Sequence, residues 1–171
     1  KLERSPRNSF GWRHGYRRDF AAWEEALLGR DSSPAKGATP VDTVLATLEP
    51  YAADMATLSN DVRRPHSRFD IRYENGFTAM LPHLSGLKQA ASLFSLRASA
   101  RLAKGDTEGA LRDTVTTFRL AESLANEPLL ISQLVRVAIL QIGVQPFWEG
   151  VVDRKWVAAH LTNLRDALQS I

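Results

Sequence analysis

The chain contains no cysteine, which excludes disulfide bonds, thiolate chemistry and cysteine-ligated zinc sites. None of its histidines lies three or four residues from another, so no helix presents a two-histidine metal face; they are His14, His66, His83 and His160. Ser33/Lys36 and Ser85/Lys88 have the spacing of a serine–lysine nucleophile, but the motifs that accompany such a pair are missing. We therefore predict no metal, no cofactor and no catalytic residue, and favour a binding protein over an enzyme.

Strong charge of one sign is also missing, since the formal net charge is only +3. A small net charge does not by itself indicate a nucleic-acid binder, because that function needs clustered basic residues. The basic residues are mostly arginine, with only 5 lysines among 22. Arginine forms planar, bidentate contacts with carboxylates and phosphates, so its distribution is the first guide to a binding site.

The length of 171 residues fits one domain, and 44% hydrophobic residues is ordinary globular composition. We predict a single helical domain over residues 1–171, with a basic, extended lead-in at 1–18 and a loop at 30–38. An extended arm is expected at 60–76, where Phe69, Ile71 and Tyr73 alternate with charged residues. A four-helix core is expected at 81–171.

Local signals predict the ends of several helices. A short helix is expected at 19–28, and Thr39-Pro40 is a typical helix start that leads to a kink or break at Pro50. Gly105 should end one helix of the core and Asp106 should cap the next. Asp153 is the expected cap of the last helix, whose apolar stripe would comprise Val157, Leu161, Leu164 and Leu168. Short connections predict antiparallel packing of these helices.

The hairpin at residues 94–125 resembles one tetratricopeptide (TPR) unit. Small residues stand where the two helices of such a unit cross, and a Gly-Asp turn joins the helices; these residues are Ala98, Gly105, Asp106 and Ala110. The sequence departs from the family at Arg97, Arg101, Thr114 and Thr117, where apolar, aromatic or alanine residues are usual. The resemblance implies an all-α, antiparallel array of TPR-like hairpins, here with one extended arm and little or no β-sheet.

A longer string of motifs resembles a group of uncharacterised bacterial helical proteins with no established activity. The motifs are Arg64-Pro65, Arg68-Phe69, Tyr73-Glu74, Leu81-Pro82-His83-Leu84 and Ile131-Ser132-Gln133-Leu134-Val135-Arg136. Several members of that group begin with a membrane-anchoring segment. The resemblance therefore implies an extracytoplasmic domain, tethered by a segment upstream of Lys1.

The arm carries the most unusual composition in the chain. Arginines interleave with aromatic residues at Arg63, Arg64, Arg68, Phe69, Arg72 and Tyr73. This pattern can bind phosphates or stack on bases. It can equally tie an extended segment to helix ends and to acids such as Asp61. We take Arg64, Arg68, Arg72 and Tyr73 as candidate binding residues.

A second set of candidates lies on helices. The apolar stretch 128–148 carries Gln133 and Arg136, and its several polar residues argue against a bilayer span and favour a helix buried on most sides. A buried guanidinium needs a partner or a ligand. Arg97 and Arg101 lie one turn apart on the first helix of the hairpin, and that helix faces the concave side in TPR units.

Taken together, these residues predict a protein- or peptide-binding or scaffolding domain with an arginine-lined groove. One alternative is a small-molecule site or enzyme pocket between the 60–76 arm and the 128–148 helix. A weak nucleic-acid binder is the third possibility. No membrane insertion is expected within this chain, and His160, beside the apolar stripe of the last helix, is expected to be half-buried.

Overall fold

A computed structural model describes residues 11–28, 36–64, 67–69, 71 and 81–169. It contains seven α-helices and short 3-10 turns at Gly11–His14 and Glu49–Tyr51. The helices are α1 (Phe20–Leu28), α2 (Pro40–Leu48), α3 (Ala52–Asp61), α4 (Pro82–Lys104), α5 (Thr107–Glu122), α6 (Leu130–Val152) and α7 (Ala158–Gln169). No strand occurs in these ranges, which confirms the all-α prediction.

Some sequence-based expectations fall outside the described residues. Residues 1–10 of the lead-in, most of the 30–38 loop and positions 65, 66, 70 and 72–76 of the arm are among them, so the alternating pattern of the arm is described only at Phe69 and Ile71. The described part of the lead-in includes the 3-10 turn, and α3 extends to Asp61.

Helix α2 begins with a capping box, as its sequence predicts. The hydroxyl of Thr39 accepts a hydrogen bond from the Asp42 backbone N–H, and the Asp42 carboxylate accepts one from the Thr39 backbone N–H. Lys104, at the end of α4, places its Nζ 2.5 Å from the same carboxylate. The bonds from Lys104 and Thr39 lower the pKa of Asp42 to about 2. The start of α2 is thereby tied to the end of α4.

The turn between α4 and α5 has the predicted chemistry. Gly105 adopts a φ of 83°, and the N–H groups of Asp106 and Gly105 donate to the carbonyls of Arg101 and Leu102. This is a Schellman motif, whose left-handed residue is most easily a glycine. The Asp106 side chain then accepts from the N–H of Gly109, 2.8 Å away, and caps α5.

The helices form two connected rows, one of α2, α4 and α6 and the other of α3, α5 and α7. Helices α2, α4 and α6 contact one another in that order, whereas α5 contacts α4, α6 and α7. Helix α3 reaches α5 through the hydroxyls of Ser59 and Thr116, which are 2.9 Å apart. The central core lies between the rows and includes Met55, Phe94, Leu120, Leu124 and Ile139.

Pro146 inside α6 leaves a backbone carbonyl that accepts a hydrogen bond from α4. Pro146 has no N–H, so the carbonyl of Ile142 lacks its usual helical donor. The hydroxyl of Ser95 on α4 donates to this carbonyl over 2.9 Å and accepts from Arg18 Nη2. Arg18 is buried, and this burial lowers its pKa to about 10.

Two polar residues of α6 hold the segment that precedes α1. Gln145 Oε1 accepts from the Trp12 backbone N–H at 2.7 Å, and its Nε2 donates to the Tyr16 carbonyl and to Glu149. Glu149 also accepts from the Arg18 backbone N–H. The buried side chains of Gln145 and Glu149 are therefore hydrogen-bonded within the fold.

The predicted cap of the last helix is wrong. Asp153 ends α6, and α7 begins only at Ala158. The N–H of Lys155 donates to the Gly150 carbonyl, and Arg154 adopts a φ of 52°, so a second Schellman-type turn follows α6. Of the predicted apolar stripe only Leu164 is buried, whereas Val157, Leu161 and Leu168 are exposed.

Helix α6 is not buried on most sides, contrary to the sequence-based expectation. Its inner face packs on α4 and α5, but Leu130, Leu134 and Val137 on its outer face are exposed. Among the described residues, α6 alone is long and apolar enough to cross a membrane. Its most apolar 18 residues have a mean hydropathy of 1.4, and 33% of them are buried. In the folded chain, its inner face belongs to the helical core.

We predict opposite effects for two glycine-to-alanine changes in helices. A Cβ at Gly143 would lie 2.7 Å from Cε1 of Phe118, whereas a Cβ at Gly86 meets nothing within 4 Å. Gly143→Ala should lower the free energy of unfolding by about 1–3 kcal/mol because the core is overpacked. Gly86→Ala should raise it by about 0.5–1 kcal/mol through helix propensity. Urea denaturation measures both; equal effects would contradict the packing of α6 on α5.

Candidate functional site

Arg97 and Arg101, two predicted binding residues, point into the α4–α5 interface. Nε and Nη2 of Arg97 donate to the two carboxylate oxygens of Asp113 at 2.9 and 2.8 Å. Nη1 of Arg101 donates to the same carboxylate at 2.9 Å and to the Gly109 carbonyl. The Asp113 side chain is only 4% exposed. The two arginines therefore neutralise a buried acid and do not line an open groove.

The other two departures from the TPR pattern are threonines on α5. Thr114 and Thr117 are fully buried and donate from their hydroxyls to the carbonyls of Ala110 and Asp113, one turn earlier. Threonine can satisfy its hydroxyl within its own helix, so burial leaves no unpaired donor. The Cγ2 of Thr117 lies against Gly143, so this threonine packs toward α6.

Gln133 and Arg136 lie at the connection between α5 and α6. Gln133 Nε2 donates to the carbonyls of Leu124 and Glu127 at 3.1 and 2.7 Å, and its Oε1 lies 3.4 Å from Arg136 Nη1. The Glu127 side chain is buried, accepts from Ser132 and contacts His83 Nε2 at 2.7 Å. These contacts fix the connection between α5 and α6 to the start of α6 and to His83 of α4.

The arm residues are only partly described. The ring of Phe69 stacks on His83 with a centroid distance of 4.3 Å, which ties the arm to the start of α4. Arg64 forms an exposed ion pair with Asp61 over 2.8 Å, and Arg68 is exposed. Arg72 and Tyr73 lie outside the described residues.

Two adjoining cavities form a groove over the outer surface of α5. The first, of about 530 Å³, lies between the end of α3 and α7; the second, of about 400 Å³, lies between α3, the arm, the start of α4 and the end of α5. Both are lined by Val62, Arg64, Arg119 and Glu122, so they are continuous. We call this the α3–α5–α7 groove.

The first cavity carries four arginines and two acids: Arg63, Arg64, Arg112, Arg119, Glu122 and Asp166. Among the described residues, no carboxylate forms an ion pair with the guanidinium of Arg63, Arg112 or Arg119. Its apolar lining comes from Val62, Leu111 and Val115. The second cavity is more balanced, with Arg64 and Arg119 beside Asp61 and Glu122, and its apolar lining includes Leu58, Phe69 and Leu87.

Of the predicted binding residues, Arg64 lines the groove, whereas Arg68, Arg97, Arg101, Gln133 and Arg136 line neither cavity. Sequence reasoning missed Arg112 and Arg119. Their spacing of seven residues places them on one face of α5, a signal that was available in the sequence. Neither cavity includes a residue of α6, so neither is the expected pocket between the arm and that helix.

Known proteins give no information about this site. No protein-family model, curated protein or solved structure matches this chain. Within the described ranges, no three side chains of the metal-binding types come close enough to hold an ion. What the groove offers chemically is a cluster of arginines together with apolar side chains.

We predict that Asp113→Ala lowers the free energy of unfolding by about 3 kcal/mol. The change leaves the guanidinium of Arg97, whose side chain is 12% exposed, without its counter-charge in a buried interface. Urea denaturation measures the loss. The control is Asp166→Ala, which removes an exposed ion pair with Arg165 and should cost at most about 0.5 kcal/mol. Equal losses would show that the α4–α5 interface does not depend on this pair.

Proposed function

We propose that this chain is a helical interaction domain that binds a peptide segment of a partner protein in the α3–α5–α7 groove. The observation that carries the proposal is the set of four arginines that line the first cavity together with apolar residues. The acid groups of the fold neutralise Arg97 and Arg101 but leave Arg112 and Arg119 without an ion pair among the described residues. An acceptor from another molecule would complete these contacts.

The shape and charge of the groove favour a polypeptide over a nucleic acid. Acids stand among its arginines, and these would repel a phosphate backbone. Phe69 is the aromatic residue in its lining, and that ring already stacks on His83. Base-stacking platforms of the kind that single-stranded nucleic acids need are therefore missing from this lining.

A TPR-like arrangement of the helices is also part of the proposal, and the close packing of α4 on α5 supports it. In this proposal, successive helices would pair as α2 with α3, α4 with α5 and α6 with α7; of these pairs α4 packs closely on α5, whereas α7 packs on α5 of the preceding pair. In this arrangement, the groove lies on the second helices of the pairs. It is therefore not the surface that the position of Arg97 and Arg101 led us to expect.

Selection from a random peptide library tests the proposal. We expect peptides that bind the wild-type chain and lose binding when Asn163→Trp fills the first cavity or Ala125→Trp fills the second. Both residues line the groove, and Ala125 and Asn163 are exposed, so the indole should enter the cavity without disturbing the core. Fluorescence anisotropy with labelled, selected peptides gives the affinities.

The matched controls place the same side chain at exposed positions outside the groove. Ala159→Trp on α7 and Ala103→Trp on α4 change exposed residues that line neither cavity, and should leave binding unchanged. Circular dichroism verifies that all four variants are folded. Selection of no peptide, or of peptides that bind the groove and control variants equally, would refute the proposed function.

A further inference from the structure

We infer that the segment bound in the groove is an amphipathic α-helix with acidic residues two turns apart, which lies along α5. This inference rests on the proposed function and specifies its partner. Three features carry it: the spacing of the guanidiniums, the uneven charge of the two cavities and the position of the apolar lining.

The spacing of Arg112 and Arg119 distinguishes a helix from an extended peptide. They are seven positions apart on one helix, which corresponds to about 10.5 Å along its axis. Carboxylates seven residues apart on a parallel or antiparallel helix have the same spacing and share one face. In an extended chain, side chains on one face recur about every 6.6 Å, so acids there fall at about 6.6 or 13 Å. A helix therefore matches the spacing of the two arginines along α5.

The charges of the two cavities orient the bound helix. The first cavity has an excess of arginines over acids, because Arg63 and Arg112 line it and do not line the second. In the second cavity, Asp61 and Glu122 offset Arg64 and Arg119. Acidic residues of the partner should therefore lie over the first cavity, and the part over the second cavity should be uncharged.

The apolar lining indicates where the bound helix should carry apolar residues. Val62 and Val115 lie beside the guanidiniums in the first cavity, and Leu58, Phe69 and Leu87 line the second. A helix that carries apolar residues between its two acids would contact the former. An apolar residue beyond the acids would enter the second cavity. Such spaced anchors are how amphipathic helices bind hydrophobic grooves.

The sequences of the selected peptides provide the first test. We expect Asp or Glu enriched at positions seven apart, with apolar residues between them, in peptides whose binding depends on the groove. Replacing both acids of one selected, labelled peptide by Gln or Asn should weaken binding by at least about tenfold, the loss of one charge-assisted contact. A proline placed between the acids should also abolish binding, because it breaks a helix.

Charge reversal in the protein tests the assigned contacts. Arg119→Glu should abolish binding of the acidic peptide, and a peptide with Lys in place of one acid should restore it. Lys155→Glu is the control: it reverses an exposed charge that lines neither cavity, and should leave both affinities unchanged. Thermal denaturation verifies that both variants fold. Rescue by the lysine peptide is an outcome that a purely structural role of Arg119 would not produce.

The possible failures can be separated. If groove-dependent peptides are selected without paired acids, or tolerate proline, the proposed function stands and this inference is wrong. If no groove-dependent peptide is selected, both are wrong. If labelled oligothymidylate competes with the peptide and binds more tightly than any selected peptide, the groove is a nucleic-acid site and the inference is likewise wrong.

Discussion

The buried carboxylate of Asp113 is the constraint on which the rest of the structure depends. A charge removed from water is costly unless it is paired and hydrogen-bonded, and here Arg97 and Arg101 supply both conditions. The bidentate contact from Arg97 also restricts how α4 can slide along α5, because a planar fork tolerates little displacement. Since α5 contacts α4, α6 and α7, the position of this one helix determines where the other layers pack.

Features set by local chemistry could be predicted from the sequence. The capping box of α2, the Schellman turn at Gly105 and the cap at Asp106 each involve residues close together in the chain. The start of α7 could not be predicted in this way. Arg154 takes a left-handed conformation that the sequence did not signal, and Asp153 is held by Arg17, which is distant in the chain. Tertiary contacts there override a good capping residue.

An arginine is available for binding only if no buried acid of the fold pairs with it. The spacing of residues in the sequence does not show such ion pairs. Arg97, Arg101, Arg112 and Arg119 all lie on helices of the hairpin, yet only the first two face a buried acid. Sequence reasoning favoured Arg97 and Arg101 because the TPR resemblance places the first helix on a concave surface. It also favoured the arm, from which Arg64 does line the groove. The position of Arg112 and Arg119 required knowledge of where α3 and α7 lie.

The wall of the groove formed by α7 depends on the turn that precedes it. Gly150 lacks a Cβ, so the ring of Trp156 packs directly on the end of α6, and its Nε1 donates to the Phe147 carbonyl. His160 is buried, not half-exposed as expected, and contacts Glu108 in the first turn of α5 at 2.7 Å. These contacts hold α7 beside α5 through residues that face away from the cavities. The buried side of α7 thus sets the width of the groove, while its exposed residues remain available to a partner.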